Sequence, residues 1–190
     1  MNIGFAMCGS FCTYRKVFDA MKQVSSIHTV VPIFSDSAVR VDSRFGTASE
    51  HWHKATEICG NEPLCTIAQV EPIGPKKLFD VLIIAPCTGN TLAKLAHSIA
   101  DGPVTMAAKS HLRNGRPVVI AVSTNDALAG AAENIGKLLG RKHYYFVPFG
   151  QDDPTEKPTS MVADFDRLLP ALEAALEGRQ LQPMLIGKRD

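Results

Sequence analysis

A short polar segment between a predicted strand and a predicted helix is the part of this chain best suited to bind an anion. It spans residues 85–102 and reads APCTGNTLAKLAHSIADG. The β-branched run at residues 81–84 precedes it and predicts a buried strand, which we expect Pro86 to end. Thr88 and Asn90 stand where N-cap side chains belong, so a helix is expected to begin there. Free backbone N–H groups and the positive end of the helix dipole would then meet at this turn and favour a phosphate.

Three other polar turns follow predicted strands, at residues 8–12, 35–37 and 123–127. The first carries Gly9 and Ser10 instead of the G-x-G-x-x-G of a dinucleotide site, and therefore suits a single phosphate better than a pyrophosphate. The second is interpreted as a helix cap. Any one of these turns is typical of ordinary capping. Ligands bind beyond the carboxyl ends of parallel strands, however, so the turns together predict a mononucleotide pocket.

Strand and helix signals alternate along the chain. We expect strands at residues 2–7, 29–34, 81–84, 117–122 and 144–147, and a short one near 66–68. We expect helices after the first turn and at residues 47–59, 103–111, 128–139 and 164–176. The helix that follows Thr88 should carry its apolar face on Leu92, Leu95, Ala96 and Ile99. Residues 150–158 are interpreted as an exposed loop.

This alternation predicts an α/β fold, a three-layer α/β/α Rossmann-like arrangement with a mostly parallel sheet. The length of 190 residues suits one domain, which we place at residues 1–178 with a C-terminal tail at 179–190.

Composition excludes several classes of function. Lys and Arg total 20 and Asp and Glu total 19, for a net charge of +1, which argues against nucleic acid or a membrane surface as the partner. No leader or membrane-spanning run is expected, so a cytoplasmic location is predicted. The five cysteines form no C-x-x-C pair, so we expect neither disulfides nor a metal site.

Several other residues have ordinary interpretations that we favour. His51 and His53 are two positions apart and would point in different directions on a helix, so we expect exposed polar residues rather than a metal site or an acid–base group. Cys87 lies in the polar turn, where a helix N-terminus could lower its pKa, but a packed thiol is the favoured interpretation. Basic residues that could attract a dicarboxylate are instead expected to be solvated: Lys76, Lys77, Arg113 and Arg116.

The polar segment also carries a resemblance to a known family. Ala85-Pro86, Asn90-Thr91 and Ala93-Lys94 resemble the A-P-x-x-x-N-T-x-A-K loop of the FMN-binding flavoproteins, a family that includes homo-oligomeric cysteine decarboxylases. The resemblance implies an FMN pocket. The cofactor-binding residues that it and the turns indicate are Gly9, Ser10, Phe11, Ser35, Ser37, Pro86, Thr88, Asn90, Thr91, Ser123, Thr124 and Asn125. No catalytic residue is identified.

Further segments narrow the resemblance to one branch of this family. They lie at residues 4–12, 72–77, 111–119, 123–127 and 145–154. The branch implies an oxidoreductase component that works with a dehydrogenase-like partner chain and oxidises a dihydrodipicolinate-type heterocycle to the aromatic dicarboxylate during sporulation. Because this chain lacks a dinucleotide fingerprint, we expect any NAD(P) on the partner. The family also implies a homo-oligomer built from trimers, with Trp52, Met106 and residues 97–99 among the apolar contacts.

Two alternatives remain open. One is an independent FMN-dependent decarboxylase, although the P-x-M-N-x-x-M segment of the cysteine decarboxylases is missing where residues 123–130 stand. The other is a non-catalytic partner protein that keeps a vestigial flavin pocket.

Overall fold

The computed structural model describes residues 1–187 and contains one seven-stranded, mostly parallel sheet. Its strands are β1 (Asn2–Met7), β2 (Thr29–Phe34), β3 (Val81–Cys87), β4 (Val118–Thr124), β5 (Tyr144–Phe146), β6 (Phe149–Gln151) and β7 (Met161–Ala163). The parallel part runs in the order β2-β1-β3-β4-β5. β7 pairs antiparallel with the end of β4, and β6 pairs antiparallel with β7.

Within residues 1–187, eight α-helices pack around this sheet. They are α1 (Tyr14–Ser25), α2 (Asp36–Arg40), α3 (Ala48–Cys59), α4 (Ile67–Val70), α5 (Gly89–Ala96), α6 (Pro103–Leu112), α7 (Ala132–Leu139) and α8 (Leu168–Leu176). One group joins α1 to α3 and α8, and another joins α5 to α6 and α7. The predicted α/β fold with a mostly parallel sheet is confirmed.

The central strands are buried along their length because helices cover the parallel sheet. Every residue of β3 is buried, and so are residues 118–123 of β4. Near-continuous apolar runs of this kind are typical of parallel strands covered on both faces. The sheet therefore presents polar groups mainly at the ends of its strands, where the connecting turns lie.

The strand containing Pro86 differs from the prediction. Pro86 does not end β3, which continues to Cys87 through a cis Ala85–Pro86 peptide bond. The register with β4 shifts between Ile84 and Cys87. Proline has no N–H to donate and is tolerated at such irregularities.

One predicted strand and the beginning of one predicted helix were wrong because local hydrogen bonds favour other structures. Residues 66–68 do not form a strand, because Thr66 and Gln69 form a capping box that begins α4. The helix expected at 128–139 begins only at Ala132. The preceding residues form a turn, in which the carbonyl of Asp126 accepts hydrogen bonds from the N–H groups of Ala129 and Ala131.

The apolar face of the helix after Thr88 is also shorter than predicted. Leu92, Leu95 and Ala96 are buried, but α5 ends at Ala96 and Ile99 is 48% exposed. Ser98 adopts a positive φ of 59°, which takes the chain out of the helix before Ile99.

The segment interpreted as an exposed loop contributes to the sheet. Gln151 belongs to β6, and β7 follows the loop to pair with Ser123 and Thr124 at the end of β4. Such short strands, whose pairing partner lies far away in the sequence, leave little pattern in the sequence from which to predict them.

The chain beyond Gly178 also contacts the sheet, because the side-chain amide of Gln180 accepts from the N–H and donates to the carbonyl of Phe146, both at 2.7 Å. Residues 188–190 of the expected tail lie outside the described residues.

No helix within residues 1–187 combines the length and the apolar character needed to cross a bilayer.

Candidate functional site

The turns after β1, β3 and β4 meet at the carboxyl edge of the sheet. The hydroxyl oxygens of Ser10 and Ser123 are 2.7 Å apart, which joins the first turn to the end of β4. The N–H of Cys8 donates to the carbonyl of Pro86 at 3.3 Å and joins the first turn to β3. A cavity of about 740 Å³ opens between these turns. Its volume falls in the usual range for small-molecule sites, roughly 300–1,000 Å³.

The N-terminus of α5 lies at the wall of this cavity. Thr88 is the N-cap, and its hydroxyl oxygen accepts a hydrogen bond from the N–H of Thr91 at 3.4 Å. Asn90 is not a cap, because it lies inside the first turn of α5 with its side chain exposed. Thr91 is only 7% exposed, and its hydroxyl donates to the thiol of Cys8 at 3.3 Å. Thr91 therefore has a structural partner, whereas Asn90 can turn toward a ligand.

A smaller cavity of about 120 Å³ adjoins the large one and shares Gly9, Thr88 and Asn90 with it. The turn after β2 lines only this smaller cavity, through Ser35, Asp36 and Ser37. Ser35 caps α2, as predicted for that turn, by accepting from the N–H of Ala38 at 3.3 Å. The single crevice expected from the sequence is therefore two connected cavities.

The two cavities bring together eleven of the twelve cofactor-binding residues predicted from the sequence. The larger cavity is lined by Gly9, Ser10, Phe11, Thr88, Asn90, Ser123, Thr124 and Asn125. The smaller one adds Ser35, Ser37 and Thr91. Pro86 is the exception, because it is buried within β3 and lines neither cavity along the described chain.

Glycine at position 89 lets the turn after β4 approach α5. A Cβ there would lie 2.8 Å from Oδ1 of Asp126 and 2.9 Å from Oγ1 of Thr124. The Thr124 hydroxyl donates to Oδ1 of Asp126 at 2.5 Å. A carboxylate thus lies beside the N-terminus of α5 on the side of the larger cavity, and the smaller cavity is lined by the carboxylates of Asp36 and Asp101.

The larger cavity also contains residues that the sequence did not single out. They are Cys12, Ser43, Arg44, Phe45, Gly89, Asp126, Asp152, Lys157, Ser160 and Val162. Arg44 lies 4.8 Å from the centre of the Phe45 ring, and Lys157 pairs with Asp152 at 3.2 Å. Cys12, Gly89 and Asp126 lie within the polar turns marked by the sequence, whereas the other seven come from segments distant in sequence that no periodicity or turn motif marks.

His51 is not the exposed residue that we expected. It is 5% exposed and packs against the rings of Phe11 and Tyr14, with centroid distances of 6.1 and 4.6 Å. Its Nε2–H donates to the carbonyl of Phe45 at 3.3 Å, so it fixes the loop at the mouth of the cavity. His53 is exposed and bonds the carbonyl of Ser49 at 2.7 Å, which confirms that the two rings diverge. His51 is buried because α3 turns this face toward α1.

Cys8 and Cys87 are packed thiols, whereas Cys12 is exposed and lines the larger cavity. Burial is the main cause that raises the pKa of Cys87 well above its usual value, so the expected lowering by a helix N-terminus does not prevail. Burial likewise raises the pKa of Cys8 to about 11. Neither thiol is ionised at neutral pH, and neither can serve there as a nucleophile.

The basic residues considered for a dicarboxylate lie elsewhere. Arg116 pairs with Asp80 at 3.5 Å and donates to the carbonyls of Lys77 and Phe79, beside the beginning of β3. Lys76, Lys77, Arg113 and Arg116 line neither cavity. Within residues 1–187, no group of three or more His, Cys, Asp or Glu residues is arranged to hold a metal ion.

The mostly parallel sheet with polar turns at its carboxyl edge defines a Rossmann-like α/β protein, and comparison with known families makes the class specific. Residues 1–156 match the family model described as Flavoprotein, and the chain belongs to that family.

Individual relatives are closer still. The chain is 44% identical over 186 residues to the B subunit of dipicolinate synthase of Bacillus subtilis (strain 168), covering 97% of this chain and 93% of the relative. The crystal structure of the corresponding B subunit from Bacillus halodurans C is 42% identical, with a TM-score of 0.90 over 99% of this chain and 97% of the other. The FMN-dependent cysteine decarboxylase SpaF shares the fold at 22% identity, with a TM-score of 0.70 over 93% of this chain and 95% of the other.

Proposed function

We propose that this chain is the flavin-binding component of a dipicolinate synthase. In this proposal it acts with the dehydrogenase-like A subunit of that enzyme to oxidise dihydrodipicolinate to dipicolinate during sporulation, in the cytoplasm. Its membership of the flavoprotein family and its similarity to B subunits over nearly the whole chain support this function. The observation that carries it is the convergence of the turns after β1, β3 and β4 around one polar cavity.

We assign FMN one orientation across the two cavities. The phosphate is assigned to the smaller cavity, where the hydroxyls of Ser35 and Ser37, the N-terminus of α5 and Lys94 are available. Lys94 contributes a positive charge to this cavity, but its ammonium group pairs with the Asp101 carboxylate at 2.9 Å, so the charge is partly neutralised. The close approach of the first and second turns depends on Gly9, whose Cβ would lie 3.3 Å from that of Ser37.

The ribityl chain and the ring system are assigned to the larger cavity. Ser10, Asn90 and Ser123 offer hydroxyl and amide groups to the ribityl chain, and Phe11 and Phe45 offer apolar surface to the rings. When bound, FMN supplies a two-electron acceptor for the aromatisation of the substrate ring. This chain's residues bind and orient the reactants, and Arg44 and Lys157 at the cavity attract a dicarboxylate substrate.

Any NAD(P) site is assigned to the dehydrogenase-like partner, because the turn after β1 has one glycine where a dinucleotide fingerprint needs three. We further propose a homo-oligomer built from trimers. Phe45, at the mouth of the larger cavity, is 46% exposed. A second copy of the chain at the cavity mouth would cover this ring and exclude water from a bound flavin. Trp52, by contrast, packs edge-on against Phe34 at 5.8 Å and contributes to the protomer itself.

Reconstitution of the two proteins tests this function. Dipicolinate formation is followed by absorbance with the dehydrogenase-like partner alone, with this chain alone and with both, each with and without added FMN. The proposal predicts product only when both proteins are present, and a higher rate with FMN. Full activity of the partner in the absence of this chain would contradict it. Activity of this chain alone on a carboxylic acid, with release of CO₂, would favour the decarboxylase alternative. A requirement for this chain without any effect of FMN would favour the non-catalytic partner.

A further inference from the structure

A third cavity, of about 470 Å³, lies between α5, α6 and the beginning of β5. None of its lining residues lines the larger of the two cavities described above, and Thr105 is the one described residue that it shares with the smaller. We call it the α5–α6 cavity. It is separate from the site assigned to FMN, although the segment from Ser98 to Thr105 passes along both.

The floor of the α5–α6 cavity is apolar. Leu95, Ile99, Leu112 and Tyr144 line it, and Ile99 keeps 48% of its surface exposed. Burying apolar surface of this kind is favourable, at roughly 25 cal/mol per Å². An apolar group of a ligand would therefore find a complementary surface here.

The rim of the cavity is strongly basic. Lys109, Arg141, Lys142 and His143 line it, and no acidic side chain does so within the described chain. Neither Lys109 nor Lys142 forms an ion pair with any described carboxylate. Arg141 is already engaged, since its guanidinium donates to the carbonyls of Leu95 and Ala96 at 3.1 and 2.7 Å. The two lysines are therefore the cations left for an anionic ligand.

The backbone at the rim adopts an unusual conformation on both sides. Ser98 has a φ of 59° and His143 a φ of 70°, values that residues other than glycine rarely adopt. Arg141 also donates to the Ser98 hydroxyl at 3.3 Å, which links the two sides. The cavity is thus bounded by segments that specific contacts hold in place.

From this charge distribution and shape, we propose that the α5–α6 cavity binds a small molecule with an apolar body and a carboxylate group. The body lies on the floor formed by Leu95, Leu112 and Tyr144, and the carboxylate pairs with Lys109 and Lys142. The proposal does not depend on the function assigned to the FMN site.

Calorimetric titration of the full chain, with FMN present in excess, tests the proposal with a matched pair of probes. Naphthalene-1-carboxylate has the apolar body and the charge, and naphthalene-1-carboxamide has the same shape without the charge. We expect the carboxylate to bind about tenfold more tightly than the amide, because charge-assisted hydrogen bonds form only with the acid. Equal affinities, or no binding of either probe, would overturn the proposal.

Variants locate the binding. Lys109→Gln combined with Lys142→Gln should abolish the preference for the carboxylate, and Ile99→Glu should weaken binding of the carboxylate by placing a like charge at the exposed mouth. Lys22→Gln, an exposed change on α1, is the control and should leave both affinities unchanged. All of these positions except Ile99, which is about half exposed, are exposed lysines, so the fold is retained. Unchanged preference in the double variant would place the probe elsewhere and overturn the assignment.

Discussion

The hydroxyl oxygens of Ser10 and Ser123 lie 2.7 Å apart although 113 residues separate them in the chain. Ser123 is 2% exposed and belongs to β4, whereas Ser10 lies in the turn after β1. The contact fixes how far apart the two turns stand, with the N-terminus of α5 beside them. It therefore sets the width of the larger cavity, and the assignment of FMN depends on this width.

Substitutions of Asn90 and Thr88 should distinguish a residue that binds the ligand from one that stabilises the fold. Asn90 is exposed and lines both cavities, and no hydrogen bond of its side chain is found in the described chain. Asn90→Ala is expected to weaken FMN binding severalfold and to leave the melting temperature unchanged. Thr88→Ala removes the N-cap of α5 and should lower the free energy of unfolding by about 1 kcal/mol.

Thermal melts and FMN titrations of the two variants provide the comparison. An Asn90→Ala variant that melts early and binds FMN normally would make Asn90 a structural residue and contradict its assignment to the ligand.

Gly89 should be a position where any side chain disturbs the site. Alanine there would push against Asp126 and displace the hydrogen bond between Asp126 and Thr124. We expect Gly89→Ala to reduce the free energy of unfolding by about 1 kcal/mol, the typical value of one such hydrogen bond.

Gly136 is the matched control for this substitution. It lies within α7, and nothing is within 4 Å of the position of an added Cβ. Gly136→Ala should raise stability by roughly 0.5–1 kcal/mol, because alanine loses less backbone entropy in a helix. Denaturant unfolding measures both, and an equal gain in the two variants would show that Asp126 does not restrict position 89.

The sequence predicted the parts of the site that depend on local rules. The strand bounds of β1 and β2 agree with the prediction, and Thr88 and Ser35 are the N-caps that the turns indicated. Each of these features depends on residues within a few positions of one another. The pattern of apolar strands and capping turns therefore contains the information needed to place the turns at one edge of the sheet.

Features that depend on distant contacts could not be predicted in the same way. Phe45 reaches the cavity because His51 holds its carbonyl, and β7 reaches β4 across about forty residues. His51 itself is buried because Phe11, Tyr14 and Phe18 surround it. No motif in the sequence marks these contacts, since each requires the folded sheet and the packed helices to bring its partners together.

Chemical modification should distinguish the exposed cysteine of the cavity from the buried ones. Cys12 is exposed and lines the larger cavity, whereas Cys8 and Cys87 are buried. Since the pKa of Cys8 is raised to about 11 and that of Cys87 well above its usual value, both remain thiols at pH 8. We expect iodoacetamide to alkylate Cys12 first, and bound FMN to slow that reaction.

Peptide mass spectrometry over a time course gives the rates, with Cys8 as the internal control. Rapid alkylation of Cys8 or Cys87 in the folded protein would contradict the packing described here. If FMN does not change the alkylation rate of Cys12, the flavin does not bind near this turn.

His111 should make the protein less stable as the pH falls. The pKa of His111 is lowered from 6.5 to about 4, mainly by burial and also by the charge of Arg116, against the opposing effects of the hydrogen bond to the Pro117 carbonyl and the charge of Asp80. The unfolded chain therefore takes up a proton below pH 6.5 that the folded chain takes up only near pH 4. Stability should fall by about 1.4 kcal/mol per pH unit between these values, and this contribution should be constant above and below them.

Urea unfolding at several pH values between 7 and 4 measures this slope. His111→Gln cannot titrate and can still donate a hydrogen bond to the carbonyl of Pro117, which accepts from Nε2 of His111 at 3.1 Å. The variant should lose less stability with acid than the natural sequence does. His53→Gln changes an exposed histidine and should keep the natural slope; an identical slope in all three proteins would show that His111 does not contribute.

The most direct test of the FMN site compares FMN with riboflavin, which lacks the phosphate. Both are titrated with the purified chain, and quenching of flavin fluorescence reports binding. The assignment of the phosphate to the cavity of Ser35, Ser37 and Lys94 predicts one FMN per chain, bound at least about tenfold more tightly than riboflavin. Equal affinity for the two flavins, or no quenching by either at micromolar protein, would contradict the site proposed here.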